Sequence, residues 1–105
     1  MPSKYRNKRV TLDGIHFDSL AEARRYGELK LLHQAGEIQE LLVHPKFKLV
    51  VNGVLICTYT ADFQYRKNGE KVVEDVKSKP TITYSYKLKK KLMKAVYGMD
   101  ITEVM

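Results

Sequence analysis

Strand-like runs alternate with turn dipeptides through most of the chain. Asp13-Gly14, Asn52-Gly53 and Asn68-Gly69 each stand between two such runs, and a two-residue hairpin turn favours these pairs because its central positions need positive φ. The first predicts a hairpin of Arg9–Leu12 with Ile15–Phe17. The second joins Phe47–Val51 to a long strand, Val54–Tyr65, and the third joins that strand to Lys71–Lys77. Between the first and second hairpins the pattern changes to a helical period. Ser19-Leu-Ala-Glu22 reads as a capping box, Ser19 as N-cap and Glu22 at the third helical position, with the helix running to about Ala35 and stopping at Gly36. A second helix begins between Thr81 and Tyr84, after Pro80, and ends at Gly98, with Leu88, Leu92, Ala95 and Val96 on its apolar side. Asp100–Val104 reads as a short last strand. Leaving the N-terminal hairpin aside, the order is helix, three meandering strands, helix, strand, an α/β chain of the α+β type.

The third hairpin fixes which side chains share a face. With Asn68-Gly69 as the loop, Lys67 faces Glu70, Tyr65 faces Val72, Gln64 faces Val73 and Asp62 faces Asp75. Alternation then puts Ala61, Phe63, Tyr65, Val72 and Val76 on one face, with Glu74 as the exception. Thr60, Asp62, Gln64, Arg66, Lys71, Val73, Asp75 and Lys77 lie on the other, polar face. Two aspartates directly opposite one another repel. Either a divalent cation of the magnesium or manganese kind joins them, or the face is solvated and Lys71, Lys77 and water screen both charges. Glu22 lies about 20° from Leu29 and 40° from Tyr26 around its helix, so it leans toward an apolar side. It is open to two roles that compete: helix cap, or third carboxylate of the same site.

Composition adds a partner class. The 105 residues suit one domain spanning 1–105, with 1–18 as basic arm and hairpin and 19–105 as core. Lysine and arginine number 19 against 12 acidic residues, a net charge of +7 that points to a polyanion such as nucleic acid. The single cysteine, Cys57, excludes a disulfide framework and suggests a reducing compartment. No apolar run is long enough to span a membrane, and the start lacks the apolar segment of a signal peptide; a cytoplasmic protein is expected. His16, His33 and His44 with Cys57 have no zinc-site spacing. Tyr5, Tyr84 and Tyr86 are expected to pack rather than to stack on bases.

With these residues in place, the chain resembles the PD-(D/E)XK nuclease superfamily, and within it a group of small phage-associated proteins. The resemblance rests on the element order from Ser19 onward, on Asp62 in Thr-Ala-Asp-Phe, on Asp75-Val76-Lys77, and on Glu22 in the first helix. Ala61 stands where many members have proline, and Glu74 beside Asp75 offers a rival carboxylate, which strand parity sends to the opposite face.

The resemblance implies a restriction-endonuclease-like core and magnesium-dependent hydrolysis of DNA phosphodiesters, with manganese able to replace magnesium. Asp62, Asp75 and Glu22 would hold the metal, and Lys77 would act on the attacking water or the phosphate. Arg24, Arg25, Lys87, Lys90, Lys91 and Lys94 would meet DNA. It further implies phage recombination or repair, with resolution of branched DNA (Holliday junctions) by a homodimer as the first sub-function, in the host cytoplasm. Two other classes stay open at this point: a non-catalytic nucleic-acid-binding module on the same fold, and a structural phage component.

Overall fold

In the computed structural model, which describes residues 9–78 and 82–105, each turn dipeptide adopts the left-handed backbone that its residue types favour. Asp13, Asn52 and Asn68 have φ of 52°, 50° and 51°, followed by Gly14, Gly53 and Gly69 at 76°, 80° and 80°. The hairpins they close are β1 (Val10–Leu12) with β2 (Ile15–Phe17), β4 (Lys46–Val51) with β5 (Val54–Thr60), and β6 (Phe63–Lys67) with β7 (Glu70–Val76). The β6–β7 register is the expected one, from Lys67 opposite Glu70 to Gln64 opposite Val73. Helix α1 covers Leu20–Gln34 and α2 covers Tyr84–Tyr97, capped by Ser19 and Thr83, whose hydroxyls accept from Glu22 and Tyr86 N–H at 3.2 and 3.1 Å. Strand β8 is Ile101–Val104. The basic arm ahead of Arg9, with Tyr5, and the Pro80 lead into α2 lie outside the described residues.

The coarse α+β reading holds, and the three-strand meander is corrected in two places. Gln39–Val43 forms a strand, β3, that the pattern did not predict. The long strand Val54–Tyr65 breaks at Ala61-Asp62 into β5 and β6. The result is a four-stranded sheet in the order β3-β6-β7-β8, antiparallel except for the parallel β7–β8 pair, and a separate β4–β5 ribbon.

Each face of the four-stranded sheet carries a helix. Under α1 lie Phe17, Ala23, Tyr26, Leu29, Ile38, Phe63 and Tyr65. Under α2 lie Leu49, Tyr59, Ala61, Val73, Tyr86, Met93 and Ile101. The supposed solvated face is therefore largely covered: Val73 and Asp75 are buried beneath α2. Ala61 and Phe63 belong to different clusters. Residues two apart on an unbroken strand share a face, so the break at Ala61-Asp62 is where the chain changes layers.

Glu74, the exception in the α1-facing set, is 1% exposed and answered by Arg25. The Arg25 guanidinium donates to both carboxylate oxygens, Nε to Oε1 at 2.8 Å and Nη2 to Oε2 at 2.7 Å, while the Tyr65 hydroxyl donates to Oε2. A buried carboxylate without such partners would be strongly destabilising. Arg25, expected among the DNA contacts, is tied to this buried acid 49 residues away and to Glu28 Oε1 at 2.9 Å.

Candidate metal centre

The carboxylates converge at an open end of the sheet, between the first turns of the two helices. Glu22 comes from the first turn of α1, Asp62 from the break between β5 and β6, and Asp75 from β7. With Lys77 they line a cavity of about 400 Å³, whose rim includes Asp18, Tyr59, Thr83, Tyr86 and Lys89.

Asp62 is held by three hydrogen bonds to backbone groups, one of them from His44 N–H to its carbonyl at 2.9 Å. Its N–H donates to the Glu74 carbonyl at 3.2 Å, and its Oδ2 accepts from Val76 N–H at 2.7 Å. The side chain therefore continues the β6–β7 ladder past the last paired residues and brings its carboxyl within hydrogen-bonding reach of Asp75. Asp75 is 4% exposed. The Tyr59 hydroxyl donates to its Oδ2, and Lys77 Nζ lies 3.5 Å from its Oδ1. Lys77 is fixed at both ends: its backbone N–H donates to Val104 O at 2.8 Å, and its ammonium sits 4.1 Å above the Tyr86 ring.

Two acids are held above their ordinary titration range. Burial, and then the neighbouring Asp75 carboxyl, push Asp62 up to about 8. Burial, and then the charge of Asp18, raise Glu22. Burial and Asp75 likewise raise the Tyr59 phenol. The charged form of each acid is costly here because water is scarce and like charges are close. Glu22 and Asp62 each offer a carboxylate oxygen within 4.8 Å of the other, a spacing at which one hard divalent cation can take both, while the Asp75 oxygens are engaged by Tyr59 and Lys77.

Glu22 does not have to choose between cap and site. Ser19 Oγ accepts from its N–H, and its carboxylate lines the cavity with Asp62.

His44 was absent from the sequence-based site. It sits in the β3–β4 connection with φ of 56°, and its Nε2 is 4.0 Å from Glu22 Oε1. Glu22, His44 and Asp62 each offer one ligand atom within 4.8 Å of the others. A lone histidine between two strands carries no spacing signal; His-Pro at a left-handed turn is the only local hint.

The expected DNA contacts divide into two sets. Among the described residues Arg24, Lys87 and Lys91 are exposed and have no carboxylate partner, whereas Lys90 and Lys94 meet Glu103 and Asp100 at 2.8 and 3.2 Å. Lys87, Lys90, Lys91 and Lys94 line a second concavity of about 590 Å³ with Tyr84, Asp100 and Glu103, separate from the Glu22–Asp62–Asp75 cavity.

No helix among the described residues is long and apolar enough to cross a membrane. No curated protein and no solved structure matches the chain. A family model does match, over residues 2–104, and the chain belongs to that family, described as Protein of unknown function (DUF1064).

Proposed function

We propose that the protein is a metal-dependent DNA endonuclease with a restriction-endonuclease-like core, its site formed by Glu22, Asp62, Asp75 and Lys77. The observation that carries this reading is the convergence of those four side chains, from three places in the sequence, on one open cavity. Asp62 and Asp75 would hold magnesium, with Glu22 completing the set. A divalent ion bound there lowers the pKa of a coordinated water and offsets charge on the scissile phosphate. Lys77, steadied by Asp75 and the Tyr86 ring, orients the attacking water and stabilises charge developing on the phosphate. Cleavage would leave a 5′-phosphate and a 3′-hydroxyl. The lysine-lined concavity on α2, with Arg24, supplies phosphate contacts that dock the substrate. Branched DNA cut by a homodimer in phage recombination or repair, in the host cytoplasm, is the specific role to which this reading extends.

Incubation with linear, nicked, flapped and four-way DNA, with and without magnesium, tests the proposal. The expected result is magnesium-dependent cleavage that Asp75→Asn and Lys77→Ala abolish while DNA affinity stays within about tenfold, since both act on the chemical step. Full activity in either variant would sink the site. Binding without cleavage on every substrate would leave a nucleic-acid-binding module in its place.

A further inference from the structure

The cavity has beside it a donor of a different chemical kind, His44, which approaches Glu22 and Asp62 without lining the cavity itself. The cavity's carboxylates are hard oxygen ligands, but His44 brings an imidazole nitrogen to within 4.0 Å of Glu22 Oε1, and the ligand atoms of Glu22, His44 and Asp62 all lie within 4.8 Å of one another. Two donors each about 2.1 Å from one ion are separated by about 3 Å at right angles and about 4.2 Å when opposite. Small side-chain rotations therefore bring all three onto one ion.

The position of His44 is set by the backbone rather than by its own contacts. It precedes Pro45, where the chain favours extended φ/ψ, yet it adopts φ of 56°. That conformation is held by a pair of hydrogen bonds, His44 N–H to the Asp62 carbonyl at 2.9 Å and Ala61 N–H to the Pro45 carbonyl at 3.0 Å. These two bonds tie the β3–β4 connection to the β5–β6 break, so His44 and Asp62 are positioned as a unit. The ring rests on Phe17, with centroids 5.7 Å apart. Among the described residues neither ring nitrogen makes a hydrogen bond, and the side chain is 36% exposed with its Nε2 4.0 Å from Glu22 Oε1. Residues 22, 44 and 62 come from a helix, a strand connection and a strand break; a chance packing contact needs no such convergence of three half-buried ligand types.

We propose that His44 is a nitrogen ligand of the centre, and that the Glu22–His44–Asp62 group binds manganese(II) in preference to magnesium. The inference rests on the metal-dependent reading of this site and adds a ligand and an ion preference to it. Magnesium keeps oxygen ligands and gives up its waters reluctantly, whereas manganese accepts imidazole together with carboxylates. Two carboxylates and one imidazole thus form a set that discriminates between the two ions.

The test is calorimetric titration of the metal-free protein with manganese chloride and with magnesium chloride, together with pulsed electron paramagnetic resonance of the manganese-loaded protein. The parent should bind manganese at least about tenfold more tightly than magnesium, and its spectrum should show coupling to a directly bound ¹⁴N nucleus. His44→Asn keeps a residue that tolerates the left-handed backbone; it should lose the nitrogen coupling and most of the preference, with magnesium affinity within about twofold. The parent spectrum decides the matter even if the variant folds poorly. Manganese bound without nitrogen coupling, or an unchanged ion preference in a folded His44→Asn, would overturn the ligand assignment and leave the carboxylate centre standing. Failure of both ions to bind would overturn the metal-dependent reading itself.

Discussion

Asp62 Oδ2 accepts a hydrogen bond from the backbone N–H of Val76 at 2.7 Å. The same carboxyl that faces the cavity also completes the sheet, satisfying a backbone donor where Asp62 leaves the β6 ladder. Asp62→Asn can keep both contacts, its carbonyl accepting from Val76 and its amide donating to Asp75, as the protonated acid does. The metal-free variant should melt no lower than the metal-free parent, and should lose the stabilisation that magnesium gives the parent by binding only the native state. Asp62→Ala, which orphans the Val76 N–H, should melt clearly lower. Thermal unfolding by circular dichroism with and without magnesium checks all three.

The raised Asp62 gives stability a definite pH dependence. An aspartate titrates near 3.9 in an unfolded chain, and here burial and Asp75 push it up to about 8. Between those values the folded state binds the extra proton. This contribution is therefore complete below about pH 4 and is lost as pH rises toward 8. Without metal, the melting temperature should fall from pH 6 to pH 8.5, and the stabilisation by magnesium should grow over the same interval as the ion replaces the proton. Asp62→Asn should flatten the profile. A melting temperature that rises with pH in the metal-free parent would contradict the assignment.

Arg25 and Glu74 should behave as a unit. Removing Arg25 leaves a carboxylate 1% exposed with, among the described residues, only Tyr65 for a side-chain partner, and breaking a buried pair in this way costs about 3 kcal/mol. Arg25→Leu and Glu74→Leu should each destabilise strongly, and the double variant should recover most of the loss. Denaturant titrations of the four proteins form the cycle, and additive losses would deny the coupling.

Glu22 and Ser19 separate capping from chemistry. Ser19→Ala should cost about 1 kcal/mol of stability with cleavage largely kept below the melting transition. Glu22→Gln should leave the melting temperature nearly unchanged and lower cleavage about 100-fold at limiting magnesium. Parental cleavage by Glu22→Gln across a magnesium titration would confine the site to Asp62, Asp75 and Lys77.

DNA affinity should fall with salt through the free cations. Lys87→Ala and Lys91→Ala should each lower the log–log salt slope by about 1, the value for one phosphate contact. Arg25→Leu should leave that slope unchanged at temperatures where the variant is folded, because its guanidinium is committed to Glu74. A flat salt response in the parent would remove nucleic acid as the partner.

The hairpins were legible because Asn-Gly and Asp-Gly state both the turn and the register, and the Asp62–Asp75 juxtaposition follows from that register alone. Strand β3 was not legible. Its apolar run is Leu41-Leu42-Val43, and its register is interrupted between Gln39 and Leu42, with Glu40 at φ of 56°. The break at Ala61-Asp62 was hidden too, since an aspartate inside a β-rich run does not announce that the chain changes layers. Arg25 and His44 are each placed by a contact far away in sequence, and neither helix period nor ligand spacing carries that information. Glu74 leaves a trace in the sequence as the one charge among apolar positions of its face, but nothing local names Arg25 as its partner.

Glu74 and Asp75 are neighbours in the chain that serve opposite layers, one beneath α1 with Arg25, the other at the cavity with Lys77. A strand that slipped by one residue would exchange them, since every side chain would change face. Such a slipped β7 would still show an acid to each layer, so hydrophobicity alone discriminates poorly between the two registers. The longer glutamate reaches a two-pronged guanidinium that also engages Tyr65's partner oxygen, and the shorter aspartate leaves room at the cavity. The Arg25–Glu74 pair therefore favours the native register over the slipped one, and that register is the one that leaves Asp75 beside Lys77 on the other side of the sheet.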